Sequence, residues 1–194
     1  GKNVLSENEQ EMYNSTTIRM DDTTAQNALK TLSVWMERYY GKKVIILLDE
    51  YDTPLQEAYV HGYWKELTAF VRSLFNSTFK TNPYMERGLL TGITRVSKES
   101  IFSDLNNLEV VTTTSEKYSG FFGFTEKEVF NALEYNGLSR EEENVRYWYD
   151  GFSFGKRKDI YNPWSIVNYM HDRQLRSYWI LTSSNKLIGD IICR

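Results

Sequence analysis

Apolar residues recur at intervals of three and four between Thr23 and Tyr40, at Ala25, Ala28, Leu29, Leu32, Trp35, Met36 and Tyr39. That spacing keeps one face of a helix apolar. Asp21 to Thr24 supply candidate N-caps and Gly41 a stop, so the pattern predicts an amphipathic helix. Val44 to Leu48 then reads VIILL, with no polar alternation. Such a run fits a strand buried on both faces, as parallel strands are. A second helical stretch is predicted over roughly Trp64 to Phe79, with Leu67, Phe70, Val71, Leu74 and Phe75 on the face that covers the same sheet. Gly88 to Val96, GLLTGITRV, is apolar and β-branched again and lies about one helix beyond the first strand, as a parallel crossover requires. A third run, Leu108 to Thr113, comes after a turn at Asn106-Asn107. Helix and strand thus alternate through the first two thirds, and the expected class is α/β.

The character changes after about Phe124. Thr125-x-x-Glu128 and Ser139-x-x-Glu142 have the spacing of capping boxes, and Asn162-Pro163 pairs an N-cap with a first-turn proline. They predict helices to about Tyr135, to about Tyr149 and from Pro163 onward. Between the last two, Asp150-Gly151 to Tyr161 carries glycines and the basic run Lys156-Arg157-Lys158, which suggests a hairpin or loop. The expected division is a sheet-bearing part over 1–124 and a small, mostly helical, lid-like part over 125–194.

The strand Val44 to Leu48 ends on Asp49, Glu50 and Asp52. Ligands of open parallel sheets bind beyond the carboxyl ends of the strands, so Asp49 and Glu50 fall where a Mg²⁺ ligand and a water-activating base belong. A solvated turn is the competing reading, since Asp52-Thr53-Pro54 is good turn chemistry. Asp52 either shares the face of Glu50 in an extended backbone or caps the next turn.

Composition narrows the field. With 194 residues, 41% of them hydrophobic, the chain is long enough for one substantial domain or a domain with an appendage. Its 14 Tyr and 5 Trp are a surplus that serves either a core or a contact surface. The net charge of −3 argues against a broad nucleic-acid footprint without excluding a basic patch. The single cysteine, Cys193, rules out an internal disulfide and fits a reducing compartment. No stretch has the length and apolarity of a membrane span, and the first ten residues have no apolar signal core, so a cytoplasmic location is the expectation. His61 and His171 lack the companions of a zinc site.

Five segments together resemble a known family: VIILLDEYDTPLQEAY at Val44 to Tyr59, GLLTGITRV at Gly88 to Val96, FFGFTEKEV at Phe121 to Val129, WYDGFSFG at Trp148 to Gly155 and IYNPWSI at Ile160 to Ile166. They resemble the predicted AAA-ATPase-like family of bacteria, P-loop ATPases related to the STAND group that often carry a nuclease-like domain of the PD-(D/E)XK type. The resemblance implies a partial P-loop-type parallel sheet with flanking helices, and ATP with Mg²⁺ as cofactors. It assigns Asp49 as the Walker B residue that holds Mg²⁺ through a water and Glu50 as the base that orients and deprotonates the attacking water. Thr94 and Arg95 stand where related ATPases place a sensor beside the γ-phosphate; a salt bridge from Arg95 to the acids is the alternative. Asn162-Pro163 resembles the proline turn that STAND lids press against adenine, although the helix-start reading needs no ligand. Asp52 completes the nucleotide-facing set.

One departure limits the resemblance. The Gly-rich loop ending in Gly-Lys-Thr precedes the Walker B strand in the family, yet no G-x-x-x-x-G-K-[ST] occurs in these 194 residues. The expectation is therefore a Walker B, sensor and lid fragment without activity of its own, from a longer ATP-binding parent. The alternative is a non-hydrolysing regulatory or interaction module that serves a protein partner or a fused nuclease-like domain. A metal-dependent nuclease site at the three acids is a third reading, disfavoured by the lack of a nearby Glu-x-Lys.

Overall fold

The computed structural model describes residues 5–93, 101, 102, 104, 105 and 107–181. They divide into two compact units, Gly1–Leu108 and Glu109–Arg194, each with its own apolar core. The architecture is mixed α/β, with a small parallel sheet and several helices.

The first unit opens with α1 (Glu7–Ser15), which has no buried residue. An amphipathic stripe is what sequence patterning detects, so this solvated helix escapes it. Its start is a reciprocal capping box: Glu9 N–H donates to Ser6 Oγ at 3.4 Å and Ser6 N–H to Glu9 Oε2 at 2.9 Å. Glu9 also ties α1 to α2 (Asp22–Tyr40), accepting from Arg38 Nη1 at 2.9 Å and from the Trp35 indole at 3.2 Å. The Arg38 guanidinium, helped by the Ser6 N–H, lowers the Glu9 carboxyl from 4.5 to about 2. A carboxylate depressed by folding adds stability above its unfolded value and loses it as pH falls through the folded one. The contact between α1 and α2 is thus expected to hold above pH 4.5 and to release progressively between pH 4.5 and 2. The Trp35 indole N–H resonance reads this release, and Glu9→Gln should abolish its pH dependence in that window.

Helix α2 obeys the apolar periodicity. Asp21 caps it by accepting from Thr24 N–H at 3.0 Å, and Gly41 ends it with a left-handed φ of 66°, which glycine adopts without Cβ strain. Strands β1 (Val44–Leu48) and β2 (Met85–Leu90) then pair in parallel, with Ile46 opposite Gly88 and Leu48 opposite Leu90. Between them run α3 (Thr53–His61), α4 (Trp64–Phe75) and a π-helical turn, Asn76–Lys80. The expected helix to Phe79 therefore changes its pitch after Phe75. Polar bonds hold α2 to this turn and to the segment leading into β2: Ser77 Oγ to Asn27 Oδ1 at 2.7 Å and Asn82 Nδ2 to Ser33 Oγ at 3.1 Å. Helix α3 occupies the segment that turn chemistry alone suggested, because Pro54 suits a first turn while Leu55 and Ala58 bury against the core.

Three expectations need correction. Burial along β1 alternates: Val44, Ile46 and Leu48 are partly covered, whereas Ile45 and Leu47 are 60% and 72% exposed. A strand buried on both faces needs two covering layers. Leu48 and Leu90 pack with Leu55, Val71 and Phe75, but among the described residues nothing covers Ile45, Leu47 and Leu89 on the other side. Second, the strand expected over Gly88 to Val96 begins earlier, at Met85, and ends at Leu90, while residues 94–96 lie outside the described residues. Third, no strand forms at Leu108 to Thr113. Val110 is exposed and the run leads into a turn closed by Ser115 N–H on Thr112 O at 2.9 Å, so its backbone finds no ladder.

The second unit starts at Glu109, ahead of Phe124. It comprises β3 (Phe124–Thr125), α5 (Glu126–Tyr135), a 3₁₀ turn at Ser139–Glu141, α6 (Glu142–Tyr149), β4 (Asp150–Phe154), β5 (Arg157–Tyr161) and α7 (Pro163–Asp172). The strands form an antiparallel sheet in the order β3-β5-β4, so the segment from Asp150 to Tyr161 is a hairpin and this part is less purely helical than expected. Thr125 and Glu128 make the capping box that their spacing predicts. Ser139 and Glu142 do not, because the chain enters α6 through the 3₁₀ turn and no side chain caps it. Val129, Leu133, Val145, Tyr149, Tyr161, Ile166 and Tyr169 form the core.

Candidate functional site

The parallel register sets the site. Because Leu48 faces Leu90, the next residue of each strand, Asp49 and Thr91, also come side by side. Two backbone bonds extend the ladder past the strands, from Thr91 N–H to Leu48 O at 2.9 Å and from Tyr51 N–H to Thr91 O at 3.0 Å. The Thr91 hydroxyl donates to Asp49 Oδ1, which also accepts from Glu50 N–H at 3.1 Å. Glu50 holds a left-handed φ of 52°, uncommon for a residue with a Cβ, and Thr53 N–H bonds its carbonyl at 3.1 Å. Asp49 and Glu50 are both exposed. The Asp49 carboxylate and the Thr91 hydroxyl thus meet at the C-terminal ends of two parallel strands, with Glu50 the next residue, and oxygen donors of this kind suit a hard cation.

Asp52 is built differently. It takes the N-cap position of α3, but its side chain makes no capping bond, which corrects the capping reading. Its side chain is fully buried, with Oδ2 accepting from Gln56 Nε2 at 2.9 Å. Gly92 makes room for it: a Cβ there would stand 2.5 Å from Asp52 Oδ1 and 2.9 Å from a Tyr51 ring carbon. Gly92→Ala is therefore expected to lower stability by about 1–3 kcal/mol through overpacking, measured by denaturant unfolding.

Thr94 and Arg95 lie outside the described residues. Asn162 and Pro163 belong to the second unit, where Asn162 Oδ1 accepts from Ser165 N–H at 3.1 Å and Pro163 fills the first turn of α7. That geometry is a complete helix start. Tyr161 is fully buried in the core and donates from its hydroxyl to Glu126 Oε2 at 3.2 Å. Burial pushes the Tyr161 phenol up, with the Glu126 charge adding to it. Trp148 and Trp164 are 44% and 54% exposed.

Arg146 is committed to the fold. It bonds Glu126 at 2.8 Å and Glu143 at 2.7 Å and lies over the Phe130 ring. The Arg146 guanidinium, seconded by the Tyr161 hydroxyl, holds the Glu126 carboxyl below its ordinary value. Lys156 stands exposed at the β4–β5 turn, and Arg157 and Lys158, exposed as well, begin β5. His61 and His171 pair with Glu57 at 3.3 Å and Asp172 at 2.8 Å, and among the described residues no group of three His, Cys, Asp or Glu gathers as a metal cage. No helix among the described residues is long and apolar enough to cross a membrane.

Two features of the site go unmarked by motif in the sequence, the Thr91 hydroxyl beside Asp49 and the fit of Gly92 to Asp52. The first was within reach, since aligning the two strand ends places Thr91 beside Asp49. The second depends on a side chain turning inward, which no spacing rule foretells.

A family model described as "Predicted AAA-ATPase" matches residues 2–102. An uncharacterized protein in the vnfD 5' region of Azotobacter chroococcum mcd 1 is 31% identical over 155 residues, which cover 78% of this chain and 29% of that protein. The chain thus spans less than a third of that relative's length. No solved structure matches.

Proposed function

Because the chain belongs to the predicted AAA-ATPase family, we propose that the ends of β1 and β2 form the metal- and water-handling half of a Mg²⁺–ATP site in the full-length protein. The observation that carries this reading is the bond of the Thr91 hydroxyl to the exposed Asp49 carboxylate where two parallel strands end, with the exposed Glu50 next in the chain. Asp49 is the Walker B acid on the metal side. Glu50, at a left-handed backbone position, accepts the proton of the attacking water. When bound, Mg²⁺ neutralises charge that develops on the phosphate oxygens. The acids fit that ion. Thr94 and Arg95 are proposed to sense the γ-phosphate, and the second unit, with Asn162 and Pro163 at the start of α7, to act as a lid of the STAND kind. The buried Asp52 serves as a support beneath the site instead of a nucleotide contact.

The phosphate-gripping Gly-rich loop is not in these 194 residues, so the isolated chain is proposed to be inactive. The uncovered face of β1 and β2 agrees with a covering layer supplied by the rest of the parent, because parallel sheets take cover on both faces. Calorimetry on the full-length protein tests the reading. ATP should bind only with Mg²⁺, and Asp49→Asn should weaken that binding toward the metal-free level; absence of binding by the wild-type protein overturns it. ATP turnover by the purified 194-residue chain, abolished by Glu50→Gln, overturns the claim of inactivity.

The exposed aromatic residues of the second unit favour a second reading, a regulatory module that docks on a protein partner or a fused nuclease-like domain. Phe121 and Tyr147 are 83% and 87% exposed, and aromatic side chains are enriched in protein–protein contact surfaces. Light scattering that finds the full-length protein monomeric and unassociated, with ATP turnover intact, decides against it.

A further inference from the structure

We propose that Thr91 is a positioning residue for Asp49, fixing which of its two carboxylate oxygens meets the cation; this rests on the metal reading of Asp49 given above. Asp49 and Glu50 are exposed at a strand end, where a free carboxylate samples several rotamers. Here two donors converge on one oxygen: the Thr91 hydroxyl and the Glu50 N–H both bond Asp49 Oδ1. Among the described residues neither reaches Oδ2, so that oxygen keeps its lone pairs for a ligand. The hydroxyl proton is spent on Asp49, which leaves the Thr91 oxygen an acceptor with free lone pairs of its own.

The backbone holds this arrangement firmly. Thr91 is clamped on both sides, its N–H on Leu48 O at 2.9 Å and its carbonyl under Tyr51 N–H at 3.0 Å. The side chain that orients Asp49 is therefore carried by the backbone of the neighbouring strand's end, across the ladder from Asp49. Hydrogen bonds of this kind to ligating carboxylates typically change metal affinity by about 10- to 100-fold. Thr91 is itself exposed, so replacing its hydroxyl with a methyl removes a bond without opening a cavity in the core.

The test uses the full-length protein, with Mn²⁺ as a spectroscopic probe in place of Mg²⁺, titrated by electron paramagnetic resonance with and without a non-hydrolysable ATP analogue. Thr91→Val keeps shape and β-propensity and is expected to weaken Mn²⁺ binding about 10-fold or more. Thr91→Ser restores the donor and should recover the affinity to within about twofold, which a merely structural role of the side chain does not predict. Thr91→Ala repeats the measurement should the valine variant not fold. Unchanged Mn²⁺ affinity in Thr91→Val or Thr91→Ala, or a serine variant as weak as either, overturns the proposal. Asp49→Asn separates the two claims. If it abolishes Mn²⁺ binding while Thr91→Val does not, the positioning role alone falls; if it leaves binding intact, the metal reading of Asp49 falls and the positioning role with it.

Discussion

Glu50→Gln in the full-length protein is expected to slow Mg²⁺-dependent ATP hydrolysis by about 10²- to 10⁴-fold while leaving nucleotide binding near the wild-type level, the usual contribution of a positioned general base. The amide keeps the shape of the carboxylate but cannot accept a proton. Glu50 makes few bonds through its side chain, the nearest being a long one from Thr53 Oγ1 at 3.4 Å, so the exchange should cost the fold little. Single-turnover kinetics with calorimetry on the same preparation checks both halves. A variant that hydrolyses at the wild-type rate removes Glu50 from the chemistry, and one that loses binding as well places it in the ground-state site. The left-handed φ of 52° bears on the same point, because uncommon backbone conformations at strand ends often aim a side chain at a ligand.

Leu133→Ala is expected to destabilise the second unit by about 2–5 kcal/mol, the range for deleting a fully buried leucine from a close-packed core. Leu133 has no exposed surface and packs with Val129, Val145, Tyr149, Tyr161, Ile166 and Tyr169. Its cluster shares no residue with the one around Leu55, Val71 and Phe75 in the first unit. Hydrogen exchange should accordingly rise in α5, α6 and α7 and stay unchanged in α2 and α4. Equal loss of protection in both units rules out separate cores as separate units of stability.

Much of the fold is legible where local chemistry and burial agree. Helix α2 has its stripe, its Asp21 cap and its Gly41 stop, and each of these acts locally. The same holds for Thr125 with Glu128 and for Asn162 with Pro163. The misreadings arise where local chemistry and tertiary setting part. Ser139 and Glu142 have capping-box spacing, yet the 3₁₀ turn moves them out of register. Leu108 to Thr113 is apolar enough for a strand, but a strand also needs a neighbour. The run VIILL reads as buried on both faces because composition records what a strand is suited to, not which layers surround it.

For the site, the order of residues places carboxylates at the end of an apolar strand, and the ordered motifs point to the family that the comparison shows. Only the tertiary structure separated the acids. Asp49 and Glu50 face outward, and Asp52, three residues beyond Asp49, turns wholly inward against Gly92 and Gln56. The reason is that the chain turns at Glu50 between the end of β1 at Leu48 and the start of α3 at Thr53, and the change from extended to helical backbone redirects successive side chains by amounts that a list of residues does not carry. Likewise Thr91 meets Asp49 across 42 positions of sequence, because pairing register, a property of two strands together, brings them to the same level.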